Sequence, residues 1–206
     1  MRRLTILVAG LLLPLAQAVA GTWTVGGNLG YALGDANATS LNQKISSMGL
    51  NASATNNAQN RKNWQAYVGY QYTPKWGLEI GYVDLGRVET TFTGTIADFD
   101  TFITTVQNIH PQTAQGWQAS ASYRYSVDKD SNAVLKVGVL DWTNRYTLAS
   151  TSVTRTFNNN GISGVIGLGF ETKLIDKWLF NVNLSRYNID GEPVSIVDLG
   201  LLYRFE

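Results

Sequence analysis

The sequence contains no cysteine, one histidine, and no long apolar run after its first twenty residues. Without cysteine, an exported chain has no disulfide framework, so backbone hydrogen bonds and packing must hold its fold. The single histidine, His110, argues against a zinc site, which usually draws on several histidine or cysteine ligands. Because no later stretch reaches the roughly 20 apolar residues of a membrane-spanning helix, the sequence predicts no such helix after residue 20.

Charged residues are also few, at 15% of the chain, and neither sign is concentrated. The formal net charge of +1 becomes −1 once Arg2 and Arg3 are removed. This balance excludes nucleic acid as a partner, because such binding needs a concentrated basic face. We do not expect an enzyme, since hydrolytic nucleophiles usually need a neighbouring base and His110 lies in a polar loop with no suitably spaced serine. No cofactor and no metal are predicted.

The first twenty residues have the pattern of a secretory signal peptide. Arg2 and Arg3 form a positive start, residues 4–15 are apolar, and residues 16–20 are mostly small. The apolar stretch is too short to span a bilayer as a helix, so a helical anchor is the weaker alternative. Cleavage fits after Ala18 or Ala20; we prefer the second, which leaves a single mature domain of residues 21–206.

The rest of the chain contains eight segments in which apolar and polar residues alternate. In one of them Trp76, Leu78, Ile80 and Tyr82 share a face. Each segment has about ten residues and a period of two, which is the length and pattern of a tilted membrane strand. The segments are residues 22–33, 63–73, 76–85, 116–126, 133–146, 161–172, 177–187 and 194–205.

Short and long connections alternate strictly between these segments. The tight turns are residues 73–75, 127–132 and 173–176, whereas the polar stretches 34–62, 86–115 and 147–160 are long and 188–193 is briefer. In an antiparallel barrel, all short turns then lie at one rim and all long loops at the other. The predicted fold is therefore all-β: an eight-stranded antiparallel transmembrane β-barrel with short periplasmic turns and long extracellular loops.

The aromatic residues give an independent indication. With the N-terminus at the periplasmic rim, they fall into two belts, as expected where rings lie at headgroup depth. A soluble β domain would instead scatter its aromatics along the strands. The predicted periplasmic belt is Trp23, Tyr72, Trp76, Tyr125, Phe170, Trp178, Tyr203 and Phe205, and the outer belt is Tyr31, Trp64, Tyr82, Trp117, Trp142 and Tyr187.

The last segment has the pattern of a closing strand, with Gly200, Tyr203 and Phe205 near its end. It resembles the C-terminal signal that barrel-assembly machinery recognises in bacterial outer-membrane proteins, although the chain ends in Glu206 and not in the aromatic residue. The resemblance implies that this machinery and periplasmic chaperones are partners during biogenesis.

Two further stretches resemble the OmpA-like transmembrane domain family. Residues 69–86 (GYQYTPKWGLEIGYVDLG) are similar to its second hairpin, and residues 135–142 (LKVGVLDW) to its fifth strand. With the first and closing strands, the resemblance covers residues 21–205. It implies a monomer in the outer membrane of a Gram-negative bacterium, surrounded by outer-membrane lipid and lipopolysaccharide. A second, peptidoglycan-binding domain is not expected, so a cell-wall tether is not supported.

Six charged residues are predicted to face the lumen in balanced number. The resemblance aligns Glu79 with a luminal acid of the family, and alternation alone places the other five. An eight-stranded barrel is only wide enough to be filled by side chains, so ionised groups inside it must be paired or hydrated. Two hypotheses stay open: a static polar plug, which we favour, and a gate whose re-pairing admits small ions. The six are Glu79, Arg124, Lys136, Glu171, Asp198 and Arg204.

The sequence therefore predicts an envelope barrel with at most narrow, porin-like conductance for ions or small solutes. One alternative is a structural or adhesive role through the extracellular loops. Another is transport of a small apolar solute, as in OmpW barrels, but the lumen reads as too polar for it. The first loop, residues 36–60, is predicted to be mobile from its Asn, Ala, Ser and Thr content. In the second loop, residues 86–115, a short amphipathic helix is predicted over residues 97–108, and the loop as a whole is predicted to be a lid.

Overall fold

The structure, a computed structural model, describes residues 21–33, 38–56, 61–87, 90–94, 102, 113–149 and 154–205. The predicted signal peptide, His110 and Glu206 lie outside these residues, as do all but residue 102 of the predicted helix and most of the predicted lid, the second loop. In the described ranges, no helix is long and apolar enough to cross a membrane.

Eight strands close into a barrel in which every neighbouring pair is antiparallel. Going around the wall, their order is β1, β10, β9, β8, β7, β6, β4 and β3, so the first strand closes the ring by pairing with the last. The predicted fold is therefore confirmed. The elements are β1 (Thr22–Leu33), α1 (Ala38–Ser47), β2 (Ala52–Asn56), β3 (Lys62–Gln71), β4 (Trp76–Asp84), β5 (Thr90–Gly94), β6 (Gln115–Ser126), β7 (Ser131–Ala149), β8 (Thr154–Ile175), β9 (Trp178–Ile189) and β10 (Glu192–Arg204).

Alternate residues of each wall strand face out or in, as a period of two requires. In β1, the Trp23 side chain is 55% exposed and the next residue, Thr24, is 4% exposed. The outward faces are apolar, with Leu29 72% and Leu168 62% exposed. A continuous exposed apolar surface of this kind marks a membrane contact, because soluble proteins rarely expose one.

Ring pairs lie on the outer wall near both rims. Trp23 and Tyr70 have centroids 4.8 Å apart near the rim where the chain enters the barrel, and the Tyr82 ring lies 5.7 Å from both Trp64 and Trp117 near the opposite rim. Two aromatic belts thus exist, but two members were assigned wrongly. Trp142 and Tyr187 are buried inside the barrel, because alternate residues of a strand face inward and both lie at inward positions.

Three short turns define the periplasmic rim, and side chains hold two of them. At the first, Thr73 Oγ1 accepts a hydrogen bond from the Trp76 backbone N–H at 2.9 Å. At the second, Asp128 Oδ1 accepts one from the Asp130 backbone N–H at 2.8 Å. This hydrogen bond stabilises the ionised carboxylate and holds the pKa of Asp128 below its ordinary value.

The opposite rim differs from the prediction in two connections. Residues 147–160 were expected to form a long loop, but β7 and β8 continue through most of them and stay paired up to Ala149 and Thr154. Residues 188–193 form a tight hairpin turn instead of a loop. There Asp190 has φ 52° and Gly191 has φ 83°, a combination typical of a two-residue Asp-Gly turn.

The first loop also differs from its predicted mobility. It contains α1 and β2, and β2 pairs with β5 of the second loop. Leu41 and Ile45, four residues apart on α1, are buried against Ala54, with Phe92 packed beside them. We call α1, β2 and β5 the cap. Lys44 of the cap lies 3.3 Å from Glu192 at the start of β10.

Candidate functional site: the barrel lumen

Four inward side chains from four strands form a charged cluster in the periplasmic half of the lumen. Arg124 of β6 donates from Nε to Glu171 Oε2 at 3.1 Å and from Nη2 to Glu171 Oε1 at 3.3 Å. Arg124 Nη2 also lies 3.6 Å from Glu79 Oε1, and Lys136 Nζ donates to Glu79 Oε2 at 2.8 Å. All four were predicted from the sequence to face the lumen, and the structure places them together inside the barrel.

The charged cluster is tolerated in the interior because each member has a partner. Glu171 is 2% exposed and Arg124 is 6% exposed, so an unpaired charge at either position would be costly. Arg124 Nη1 also donates to Ser122 Oγ at 3.0 Å. The Lys136 ammonium lies 5.1 Å from the centre of the Tyr67 ring, which adds a cation–π contact.

Asp198 is held apart from the charged cluster by neutral amides. Its Oδ1 accepts hydrogen bonds from Asn28 Nδ2 at 2.8 Å and Asn183 Nδ2 at 2.7 Å, and its Oδ2 accepts one from Gln65 Nε2 at 3.0 Å. None of the ion pairs within the described residues includes Asp198. We call Asp198 and these three donors the amide cradle. It links β1, β3, β9 and β10 across the seam where the barrel closes.

A hydrogen bond to Tyr67 crosses the lumen and connects to the amide cradle. Asn181 Nδ2 on β9 donates to the Tyr67 hydroxyl on β3 at 3.0 Å, and Asn183 Nδ2 donates to Asn181 Oδ1 at 3.1 Å. The amide cradle and the charged cluster are thus joined through Tyr67. The periplasmic half of the lumen is consequently filled by one polar network, to which every strand of the wall contributes a side chain.

An apolar cluster fills much of the extracellular half of the lumen, beside the buried polar side chains of Arg61 and Asn63, and the sequence analysis did not predict it. Leu140 and Trp142 of β7, Tyr187 of β9 and Ile196 of β10 belong to one buried cluster. We call this cluster the apolar plug. The alternation of inward and outward residues along β7 and β10 carries this signal, since Leu140, Trp142 and Ile196 all occupy inward positions. The remaining members are Ala32, Val83, Leu85, Ala114, Val165, Ile189 and Val194.

Polar atoms of the apolar plug are satisfied inside it. Tyr187 donates its hydroxyl proton to Gln118 Oε1 at 2.9 Å, which ties β9 to β6 across the lumen. Trp142 Nε1 donates to Ser163 Oγ at 2.8 Å. The sequence predicted a polar lumen throughout, whereas the structure places an apolar cluster in its extracellular half and the polar network in its periplasmic half.

Cavities lie at both ends of the filled lumen. One of about 680 Å³ lies at the extracellular mouth and is lined by Asp84, Arg87, Arg145 and several asparagines, including Asn159. Another of about 190 Å³ lies at the periplasmic rim. In the part of the chain that the structure describes, no group of three or more His, Cys, Asp or Glu side chains is arranged to hold a metal.

Arg204, predicted to belong to the luminal charges, lies outside the charged cluster. It lines the periplasmic cavity together with Lys129, Lys173 and Lys177. No ion pair among the described residues includes it. Arg204 is the last residue of β10 and therefore lies closer to the periplasmic end of the barrel than the inward-facing acids do. The periplasmic entrance thus has four basic side chains and two acidic ones, Asp130 and Asp176.

The three residues of the predicted assembly signal have clear structural positions. Tyr203 lies between Trp178 and Phe205, with centroids 5.2 and 5.0 Å away. The Phe205 backbone N–H donates to the Trp23 carbonyl at 2.8 Å and so helps to close the barrel. At Gly200, a Cβ atom would overlap the Asn28 side chain of the amide cradle. Their role in recognition by assembly machinery stays a prediction.

Comparison with known proteins agrees with this geometry. The model of a family described as OmpA-like transmembrane domain matches residues 18–206. Outer membrane protein A of Klebsiella pneumoniae is 28% identical in an alignment of 199 residues, and the match covers 89% of this chain and 51% of that protein. The chain thus spans about half the length of this curated relative.

Solved structures show a similar fold. The N-terminal β-barrel domain of OprF from Pseudomonas aeruginosa has a TM-score of 0.52 at 10% identity, covering 89% of this chain and 97% of that one. Ail, the attachment invasion locus protein of Yersinia pestis, has a TM-score of 0.49 at 11% identity, covering 90% and 97%. At these identities, the likeness to OprF speaks for the fold alone.

Proposed function

The chain belongs to the OmpA-like transmembrane domain family and is a bacterial outer-membrane β-barrel protein, and on that premise we propose that it is an envelope barrel whose lumen is closed at rest. Conductance is then at most narrow and requires side chains to rearrange. The observation that carries the proposal is the filling of the lumen by two barriers in series, the charged cluster and the apolar plug. The proposal assigns no catalytic activity.

The charged cluster is the part that could rearrange. Glu79 contacts two cations, Lys136 and Arg124, and Arg124 contacts two acids, Glu79 and Glu171. Since each of the two central groups has a second partner, one contact can break without leaving a buried charge unpaired. Such an exchange would admit small hydrated ions from the periplasmic side as far as the apolar plug.

The apolar plug is the stronger barrier to ions. A narrow apolar constriction excludes water and so closes a pore even without a charged gate. On its periplasmic side the apolar plug borders the polar network. The lumen therefore offers no continuous apolar path for an apolar solute. This argues against OmpW-like transport through the lumen.

Single-channel recording of the refolded protein, beside Lys136→Met, tests this proposal. We expect the wild-type barrel to give rare, brief and small openings or none. Lys136→Met should change only their frequency, because it breaks one contact of the charged cluster and leaves the apolar plug intact. Leu199→Ala, on the lipid-facing side, is the matched control. A stable, continuously open wild-type pore would contradict the proposal.

A second candidate is a surface role through the extracellular side. The cap has a small apolar core, and β7 and β8 stay paired beyond the barrel as an extended hairpin. The cavity at the extracellular mouth is lined by two arginines and several side-chain amides. We propose this role as subordinate, because nothing on the surface identifies its ligand. Binding of labelled cells lost on deleting residues 145–158, with the barrel still folded, would support it.

The biogenesis and setting of the barrel belong to the same proposal. They include export with cleavage of the signal peptide, delivery by periplasmic chaperones, and insertion by the barrel-assembly machinery. A monomer fits a wall that closes upon itself through the pairing of β1 with β10.

A further inference from the structure

The barrel wall is interrupted between β8 and β9 near the extracellular rim. The two strands pair from the periplasmic side up to Val165 and Tyr187. Beyond that point β9 runs only two residues further, to Ile189, whereas β8 continues to Thr154. Residues 154–164 of β8 therefore pair with β7 and have no pairing with β9.

A groove of about 560 Å³ lies at this interruption. We call it the lateral groove. Val137 and Ile166, which are outward and more than half exposed, form its membrane side. Val165 and Tyr187 of the apolar plug form its floor, and Pro193 also lines it. At Gly164 no atom lies within 4 Å of where a Cβ would be, so open space replaces a side chain there.

A cation lies at the edge of the lateral groove. Arg186 lines it and faces outward, one position above the apolar outward row of Phe180, Val182 and Leu184 on β9. Its guanidinium takes part in no ion pair among the described residues, and Ser195 is its neighbour on β10. An arginine at the end of an apolar row keeps its stem in the membrane and its charged head at headgroup depth.

We propose that the lateral groove binds one anionic phospholipid-like molecule of the outer leaflet. Its phosphate contacts Arg186, and an acyl chain lies along Val137 and Ile166 in the space beside Gly164. The occupant follows from position, because this face borders the bilayer and a lipid is what lies against it. The preference for a phosphate-bearing anionic headgroup follows from the unpaired positive charge, which attracts anionic lipid. This inference does not depend on whether the lumen conducts.

Two variants separate the headgroup contact from the chain contact. Arg186→Gln removes the charge and keeps the groove, whereas Gly164→Leu fills the groove and keeps the charge. Each has a matched control elsewhere on the outer wall. Lys62→Gln removes another outward cation at the extracellular end of a strand, and Gly27→Leu adds a side chain at an outward glycine whose nearest neighbour would be 3.6 Å away.

Native mass spectrometry in detergent, with phosphatidylglycerol or phosphatidylcholine of the same acyl chains, measures the first bound lipid. We expect wild type to bind phosphatidylglycerol about fivefold more tightly, as expected for one cation near a headgroup. Arg186→Gln should abolish this preference, and Gly164→Leu should weaken binding of both lipids. Far-UV circular dichroism checks that each variant is folded.

Three results would overturn the proposal. One is equal binding of the two lipids by the wild-type protein. Another is retention of the wild-type preference by folded Arg186→Gln, and the third is an equal loss in the controls Lys62→Gln and Gly27→Leu.

Discussion

The Arg124 guanidinium and the Glu171 carboxylate face each other in the lumen as a fork, with contacts of 3.1 and 3.3 Å. Both side chains are almost fully buried, and they come from strands that are not neighbours in the wall, β6 and β8. The pair therefore fixes the spacing of three adjacent strands from the inside.

Removing one member of this pair should destabilise the barrel strongly. For Glu171→Gln we expect a loss of about 3–5 kcal/mol, because Arg124 is left as a buried charge with only the longer Glu79 contact. The double variant Arg124→Met with Glu171→Leu should lose clearly less than the single one, since no charge is stranded. Urea unfolding of vesicle-inserted protein, followed by tryptophan fluorescence, measures both. Equal losses would refute the reasoning.

Asp198→Asn should destabilise the barrel although it removes a buried charge. The carboxylate accepts three amide donors, and an asparagine would turn its own NH₂ towards at least one of them. We expect a loss of about 1–3 kcal/mol, the cost of leaving buried polar groups unpaired. Asp141→Asn, on an exposed outward position, is the control and should stay within about 0.5 kcal/mol. An Asp198→Asn variant with the same unfolding free energy as the wild type would contradict the role given to the amide cradle.

Truncation inside the apolar plug should cost more than truncation on the membrane face. Leu140 is fully buried, and we expect Leu140→Ala to lose about 2–5 kcal/mol through the cavity it leaves. Leu199→Ala, on the lipid-facing side of β10, should lose less because lipid chains refill the space. The same unfolding measurement compares the two variants, and an inverted order would argue against a packed plug.

Gly200→Ala distinguishes packing from recognition at the closing strand. A Cβ at this position overlaps the Asn28 side chain, whereas one at Gly164 meets no atom within 4 Å. We therefore expect Gly200→Ala to refold poorly in detergent, without any assembly machinery, and Gly164→Ala to refold as wild type. If Gly200→Ala refolds normally in vitro but fails to assemble in cells, Gly200 acts through recognition instead.

The periplasmic turn around Asp128 should weaken at low pH. Its pKa is lowered in the fold by the hydrogen bond from the Asp130 N–H. A depressed pKa gives stability that is present above the ordinary aspartate pKa and is lost as pH falls through the folded value. Carboxyl-carbon NMR titration should place the midpoint of Asp128 below ordinary aspartate values. A midpoint at or above them would contradict the turn geometry.

Much of the wall could be predicted from the sequence, because period two and turn spacing are local properties. The first strand, Thr22–Leu33, was predicted with its observed bounds. Contacts across the lumen depend on register, which alternation does not supply. The pairing of Lys136 with Glu79, the separation of Asp198 from the cluster and the exclusion of Arg204 therefore came only from the structure.

Two regions were misread for a different reason. The first loop was judged by its polar composition, although Leu41 and Ile45 carry a helical spacing that composition hides. The apolar plug was not predicted, because only charged residues were assigned to the lumen. Leu140 and Ile196 lie at inward positions by the same alternation. Parity applied to every residue would have located the plug, but not the Tyr187–Gln118 contact that spans it.

The claim that two barriers close the lumen in series is tested most directly by combining a variant of each. In planar bilayers, single-channel current would be recorded for Glu79→Gln, Tyr187→Ala and their double variant, each shown to be folded. The account predicts sustained openings for the double variant only, because each single variant leaves the other barrier in place. Sustained current from either single variant, or a folded double variant without openings, would contradict it.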